Sequence, residues 1–184
     1  MDARDWATVS FDEGRSTLRE WREQTVRRSE ETVELWEHVL SRRPSALGDE
    51  LWMVYEQVCI AAFDCARLDV ANECANALKR KFPGSQRVMK LQAMQLEAMG
   101  RFDDALKIYD SLIQRDDTNT SYRKRRAAVF KAQGRTAEAI SEINDYLKTY
   151  MNDNEAWLEL AGLYVREQDY SRAAYAMEEL LLAQ

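Results

Sequence analysis

The chain has 184 residues with 26 Lys and Arg against 32 Asp and Glu, a net charge of −6, and 46% hydrophobic residues. At roughly 150 residues per domain this is one domain or one continuous array, and the balance excludes a disordered acidic tail and a generally basic nucleic-acid binder. Two prolines and six glycines leave too little turn chemistry for a many-stranded sandwich or barrel, so an almost entirely helical chain is expected.

The segment Met1 to Arg15 carries acids and lacks an apolar h-region, which argues against a secretory signal. The longest apolar run, Val58 to Phe63, falls well short of the roughly 18 residues that cross a bilayer, so no direct membrane span is expected. Without an export signal, Cys59, Cys65 and Cys74 are expected to be reduced cytosolic thiols. They have no C-x-x-C spacing and the single histidine, His38, lies far away, so they read as three small buried apolar side chains; no metal and no cofactor is expected. Residues 11–28 predict a helix opened by Ser10 and Glu13 in capping-box spacing, with Leu18, Trp21 and Thr25 on one face. A second helix from about Glu30 to Arg42 carries Val33, Trp36, Val39 and Leu40, and Pro44 to Asp49 is its exit loop.

From residue 52 the chain repeats itself. Gly100-Arg101-Phe102-Asp103-Asp104-Ala105 aligns with Gly134-Arg135-Thr136-Ala137-Glu138-Ala139, then with Gln168 to Ala173, and backwards with Ala66 to Ala71. The period of 34 defines units 52–85, 86–119, 120–153 and 154–184, and resembles the tetratricopeptide repeat, a helix, a short turn and a second helix per unit. Small residues fall at position 8 on Cys59, Ala93, Ala127 and Ala161, and at position 20 on Ala71, Ala105, Ala139 and Ala173. They let paired helices approach, while Tyr55, Trp157, Leu96, Phe130, Tyr164, Tyr109 and Met177 fill the space around them. The expected fold is all-α, a tetratricopeptide-repeat superhelix built as a right-handed α-solenoid of antiparallel helix pairs. Residues 1–51 are then N-terminal helices forming a degenerate first repeat and cap, with Trp21 and Trp36 as cap packing. Arg123 and Arg126 stand where units usually hold large apolar residues, which makes the third unit atypical. The fourth ends on an apolar helix with Met177, Leu180, Leu181 and Leu182 and no polar cap behind it. A truncated array, or a partner over this end, is expected, with self-association of the chain through its C-terminal helix.

No nucleophile elbow, P-loop or zincin motif is present, so no enzyme is expected. Between Thr118 and Ala137 stand six cations, Arg123, Lys124, Arg125, Arg126, Lys131 and Arg135, and no acid, whereas residues 136–184 carry ten acids against three bases. In this repeat type positions 2, 5, 9 and 12 line a groove, which puts Arg87, Lys90, Lys124 and Lys131 along one wall. The partner-binding candidates are therefore Arg87, Lys90, Arg123, Lys124, Arg125, Arg126 and Lys131, a surface suited to an extended acidic segment. The basic face is short and carries only Tyr122 as an aromatic, so nucleic acid is not the expected partner. The alternative is a tetratricopeptide co-chaperone or adaptor binding acidic peptide tails. Of its five carboxylate-clamp positions, which fall on Lys90, Met94, Arg125, Glu155 and Glu159, only Lys90 matches.

Several stretches carry a narrower resemblance: Leu47 to Trp52 with Tyr55-Glu56-Gln57, Phe82-Pro83-Gly84-Ser85 with Arg87-Val88, Asn119-Thr120 with Arg123-Lys124-Arg125, Lys131 to Gly134, and Glu155-Ala156-Trp157. From about Trp21 to Gln184 the chain resembles the family of subunit 2 of the endoplasmic reticulum membrane protein complex, whose members continue past this endpoint. The resemblance implies a non-enzymatic cytosolic scaffold, peripheral on the cytosolic face of the endoplasmic reticulum membrane. It also implies binding to cytosolic segments of membrane-embedded insertase subunits and to a soluble MPN-like subunit, in support of insertion of tail-anchored and multipass membrane proteins.

Overall fold

Turns spaced one repeat apart set the architecture. Ala66, Gly100, Gly134 and Gln168 all adopt left-handed φ, at 57°, 72°, 72° and 59°. The next residue's N–H, from Arg67, Arg101, Arg135 and Asp169, closes onto the carbonyl of Ala62, Leu96, Phe130 and Tyr164 at 2.8, 2.8, 2.9 and 2.9 Å. Each is a Schellman closure, which satisfies end carbonyls and reverses the chain. At the other end of a pair, Asn119 and Asp153 accept hydrogen bonds from the N–H of Ser121 and Ala156, capping the helices that follow.

A computed structural model describes residues 6–182, so the first five residues of the N-terminal segment and positions 183–184 of the fourth unit lie outside the described residues. Among the described residues there are ten α-helices and no strand: α1 Phe11–Glu23, α2 Ser29–Leu35, α3 Leu51–Asp64, α4 Leu68–Lys81, α5 Gln86–Ala98, α6 Phe102–Arg115, α7 Thr120–Ala132, α8 Thr136–Leu147, α9 Asn154–Arg166 and α10 Tyr170–Leu182. The chain divides into two compact units, 1–101 and 102–184.

In the first unit, Leu18, Leu35, Leu40, Leu47, Val54 and Val58 form a closed core. The capping box holds, with Ser10 Oγ accepting from the Glu13 N–H at 3.3 Å. The helix it starts does not reach residue 28. Thr25 takes φ 52° and the Val26 N–H closes onto the Trp21 carbonyl, so α1 stops at Glu23 and Thr25 leaves its face. The second predicted helix also differs: α2 passes at Trp36–Leu40 into a π-helical turn, closed by the Ser41 N–H on the Trp36 carbonyl. Such a turn holds one extra residue, which a 3.6-residue pattern does not signal. Pro44–Glu50 is a 3₁₀ segment broken at Gly48, not an open loop. Trp36 is buried and meets Tyr55 edge-on at 5.2 Å, while Trp21 is half-buried and meets Trp6, whose indole donates to Glu34 at 2.7 Å.

Cys59 and Cys74 are buried as expected, but Cys65, at the C-cap of α3, is half-buried. Burial pushes all three thiols up, Cys59 to about 12, which leaves them protonated and poor nucleophiles.

Glu50 ties α1 to the 3₁₀ segment through Arg15 at 2.6 Å, Arg19, and Arg22 at 3.8 Å. Hydrogen bonds from Arg15 and Arg19 pull its carboxyl from 4.5 to about 2. A group depressed in the folded state stabilises above its unfolded value and loses that stabilisation as pH falls through its folded one. The wild-type chain is therefore expected to be more stable than Glu50→Gln at neutral pH, with the gap closing between about pH 4.5 and about 2. Urea midpoints of both chains across that range check it; a gap independent of pH would exclude the ion cluster as its source.

In the second unit, Ala105, Tyr109 and Leu112 on α6 are fully buried, and α7 to α10 enclose Ala127, Ile143, Leu160, Trp157 and Tyr164. All eight small residues of the periodic pattern are buried, none more than 6% exposed. Met177 is not the filler expected of it: it is 41% exposed on the outer face of α10, where Ala173 and Ala176 supply the inward contacts.

Candidate partner-binding site

The seven candidate cations fall in both units. In the first, Arg87 opens α5 with its side chain 74% exposed and pairs at 2.6 Å with Glu56 of α3. Lys90 is half-buried one turn further along α5.

In the second unit the candidates sit on α7, where successive side chains point about 100° apart and a run of four cations cannot share one face. Lys124 and Lys131, seven residues apart, do share one. Lys124 Nζ lies 2.7 Å from Asp153 and 3.4 Å from Glu155, and Lys131 pairs with Glu159. Asp153 is the best anchored of these acids: it caps α9, accepts from the Tyr146 hydroxyl and meets Lys124. Burial alone would raise its carboxyl, but the hydrogen bonds from Lys124 and Tyr146 hold it below the usual carboxylate range. Burial would lower Lys124 in turn, and the bonds to Asp153 and Glu155 outweigh it, so the ammonium is firmly charged.

Arg126 turns inward. Its side chain, 22% exposed, meets Asp110 of α6 at 2.6 Å and the buried Glu142 of α8, which removes it from the exposed cluster. Arg123 and Arg125 are half-buried; the Asp145 carboxyl is lowered chiefly by the hydrogen bond from Lys148, with the charges of Arg123 and Arg126 adding to it. Beyond α7, the groove positions of α9 present Leu158 and Val165, 57% and 51% exposed, on either side of Gly162.

Of the four expected groove cations, Arg87, Lys124 and Lys131 are thus each ion-paired. Sequence reading missed the counterions because they lie one repeat away: Glu56 to Arg87 and Lys124 to Glu155 are each separated by 31 residues. That recurrent offset is the signal that could have found them. An exposed pair such as Lys124 with Glu155 is worth about 0–1 kcal/mol. Among the described residues no group of His, Cys, Asp and Glu is placed to hold a metal ion, and no helix is long and apolar enough to cross a membrane.

Comparison with known proteins agrees with this architecture. The family described as EMC2 TPR-like repeat domain matches residues 80–184. ER membrane protein complex subunit 2 of Xenopus tropicalis is 50% identical over 178 residues, 97% of this chain and 60% of that protein. TPR repeat protein oca3 of Schizosaccharomyces pombe is 40% identical over 136 residues, 74% of this chain and 48% of that protein. The chain thus spans about 60% of the Xenopus relative's length. A tetratricopeptide repeat protein of Parabacteroides merdae superposes with a TM-score of 0.71 at 14% identity, over 96% of this chain and 66% of that one, a likeness of fold.

Proposed function

The chain belongs to the EMC2 TPR-like repeat family, and from that membership we propose that it is a non-enzymatic scaffold subunit of the endoplasmic reticulum membrane protein complex. It works on the cytosolic face of that membrane, holding cytosolic segments of membrane-embedded subunits and a soluble MPN-like subunit so that tail-anchored and multipass proteins are inserted. Its modules are the repeats 52–85, 86–119, 120–153 and 154–184, on the N-terminal helices 1–51. The observation that carries the reading is the Lys124 and Lys131 stripe: Lys124, anchored by Asp153, and Lys131 each pair with an acid of α9, Glu155 and Glu159, whose place an acidic segment would take.

Charge reversal is a poor test, since Glu at 124 would face Asp153 and Glu155 and unsettle the α9 cap. The double variant Lys124→Met/Lys131→Met removes the charges and keeps the aliphatic stems. Co-purification of complex subunits with the tagged chain is expected to fall about tenfold, a loss of ~1.4 kcal/mol, while the circular dichroism spectrum stays unchanged. Undiminished recovery would exclude this stripe as a docking surface. Strong binding of an acidic chaperone tail peptide would favour the adaptor alternative.

The outer face of α10 supports a second contact. Tyr170, Met177 and Leu181 are 65%, 41% and 67% exposed, and with the exposed Ala174 they form an unbroken stripe at helical spacing. The isolated chain is expected to self-associate through it. Sedimentation should show dimers that Met177→Glu/Leu181→Glu abolishes; a wild-type monomer at high concentration would exclude the contact.

A further inference from the structure

The turn that ends α4 builds a cavity in the first unit. A residue before proline is disfavoured in the αR region, and Phe82, ahead of Pro83, sits at φ −126° and ψ 66°. Gly84 then takes φ 80°, a left-handed conformation that favours glycine. The Phe82 ring is thereby turned edge-on to Trp52 of α3, with ring centroids 5.5 Å apart at 84°. These rings and α5 bound a cavity of about 370 Å³. Leu78, Val88 and Leu91 line it and are buried, while Met53 and Phe82 are 43% and 38% exposed beside them. A volume above about 300 Å³ with mostly apolar walls falls in the range of ligand-binding clefts.

Three charged side chains also line this cavity, Asp49, Glu56 and Arg87. Glu56 and Arg87 satisfy each other at 2.6 Å. Asp49 is exposed and makes no ion pair among the described residues, so the lining carries one net negative charge. Lys81 stands over the Trp52 ring at 5.5 Å but does not line the cavity.

We propose that this cavity is a docking site for an extended peptide segment of a partner protein, which inserts one bulky apolar side chain between Met53 and Phe82 and sets a neighbouring Lys or Arg against Asp49. The assignment rests on the scaffold reading above and adds the chemistry of one contact. Aromatic and aliphatic walls offer Leu, Met or Phe the burial that anchors interfaces. In an extended segment side chains two residues apart share a face, about 7 Å apart, which lets one enter the cavity while the other stays at its rim. Met53 and Glu56 hold positions 2 and 5 of the 52–85 unit and Arg87 position 2 of the next, so the cavity lies on the helix face assigned to partner binding.

The probe is a phage library of random peptides, each about 12 residues long, an extended reach of roughly 40 Å, panned against the immobilised 184-residue chain. Enriched peptides are expected to pair Leu, Met or Phe with a Lys or Arg two residues away. Their Kd, read by fluorescence anisotropy, should weaken about tenfold in Met53→Glu and several-fold in Asp49→Lys, and stay unchanged in Lys107→Met, an exposed charge on α6. Both cavity substitutions are at exposed positions, and an unshifted melting curve confirms the fold. Failure to enrich, enrichment without the apolar and basic pair, or binding lost only in the α6 variant overturns the proposal. Complex recovery separates the two readings: cavity-dependent peptide binding with no complex subunits recovered on the unsubstituted chain keeps the site and removes the scaffold function.

Discussion

Replacing Tyr109 by alanine is expected to lower the unfolding free energy by about 3–5 kcal/mol, the range for removing a large buried ring. Tyr109 heads the largest fully buried side chains, and on α6 it stands between Ala105 and Leu112, both also at zero exposure. Residues at this spacing share one helix face, and here the whole face is enclosed. The helices around it are held by their end turns and by the small residues between them, so they cannot collapse into the space a lost ring leaves. Tyr109→Phe keeps the ring and is expected to lose no more than about 1.5 kcal/mol, the net worth of one hydrogen bond. Urea denaturation followed by circular dichroism gives both values; a loss under about 1 kcal/mol for the alanine variant would mean that the α6 face repacks.

The second large effect is expected at the Arg126 and Glu142 pair. Glu142 is 7% exposed, and its Oε1, like Arg126 Nε, has no hydrogen-bond partner. Arg126→Ala leaves that carboxylate buried without its cation, at a cost of about 3–5 kcal/mol. Glu142→Ala costs less, about 2–3 kcal/mol, because Arg126 is partly exposed and retains Asp110. Replacing both by leucine is expected to restore most of the loss, since two apolar side chains need no partners. The cycle of Arg126→Leu, Glu142→Leu and the double variant measures the coupling directly. A double variant no more stable than Arg126→Ala would show that the residues act separately, and that the third repeat tolerates its buried charges for another reason.

The repeat pattern is legible in the sequence because it is local and recurs. Eight small residues in strict register all lie in the core, and Gly100 and Gly134 mark turns that Ala66 and Gln168 reproduce at the same offset. A helix pair needs little more than its own 34 residues to declare itself, since the small contact positions and the end turn both lie within that length. The departures are of a different kind. Thr25 ends α1 through a left-handed residue that carries no glycine, and the π-helical turn at Trp36–Leu40 keeps its apolar residues buried while changing the hydrogen-bond register. Neither disturbs hydrophobic spacing, so neither leaves a trace in it. The candidate site was only half legible: the cations could be counted along α7, but Arg126 points inward and Lys124 faces Asp153 because of how α7 packs on its neighbours. Which acid stands opposite which cation is set by the separation of helices one repeat apart, and only the packed chain decides it.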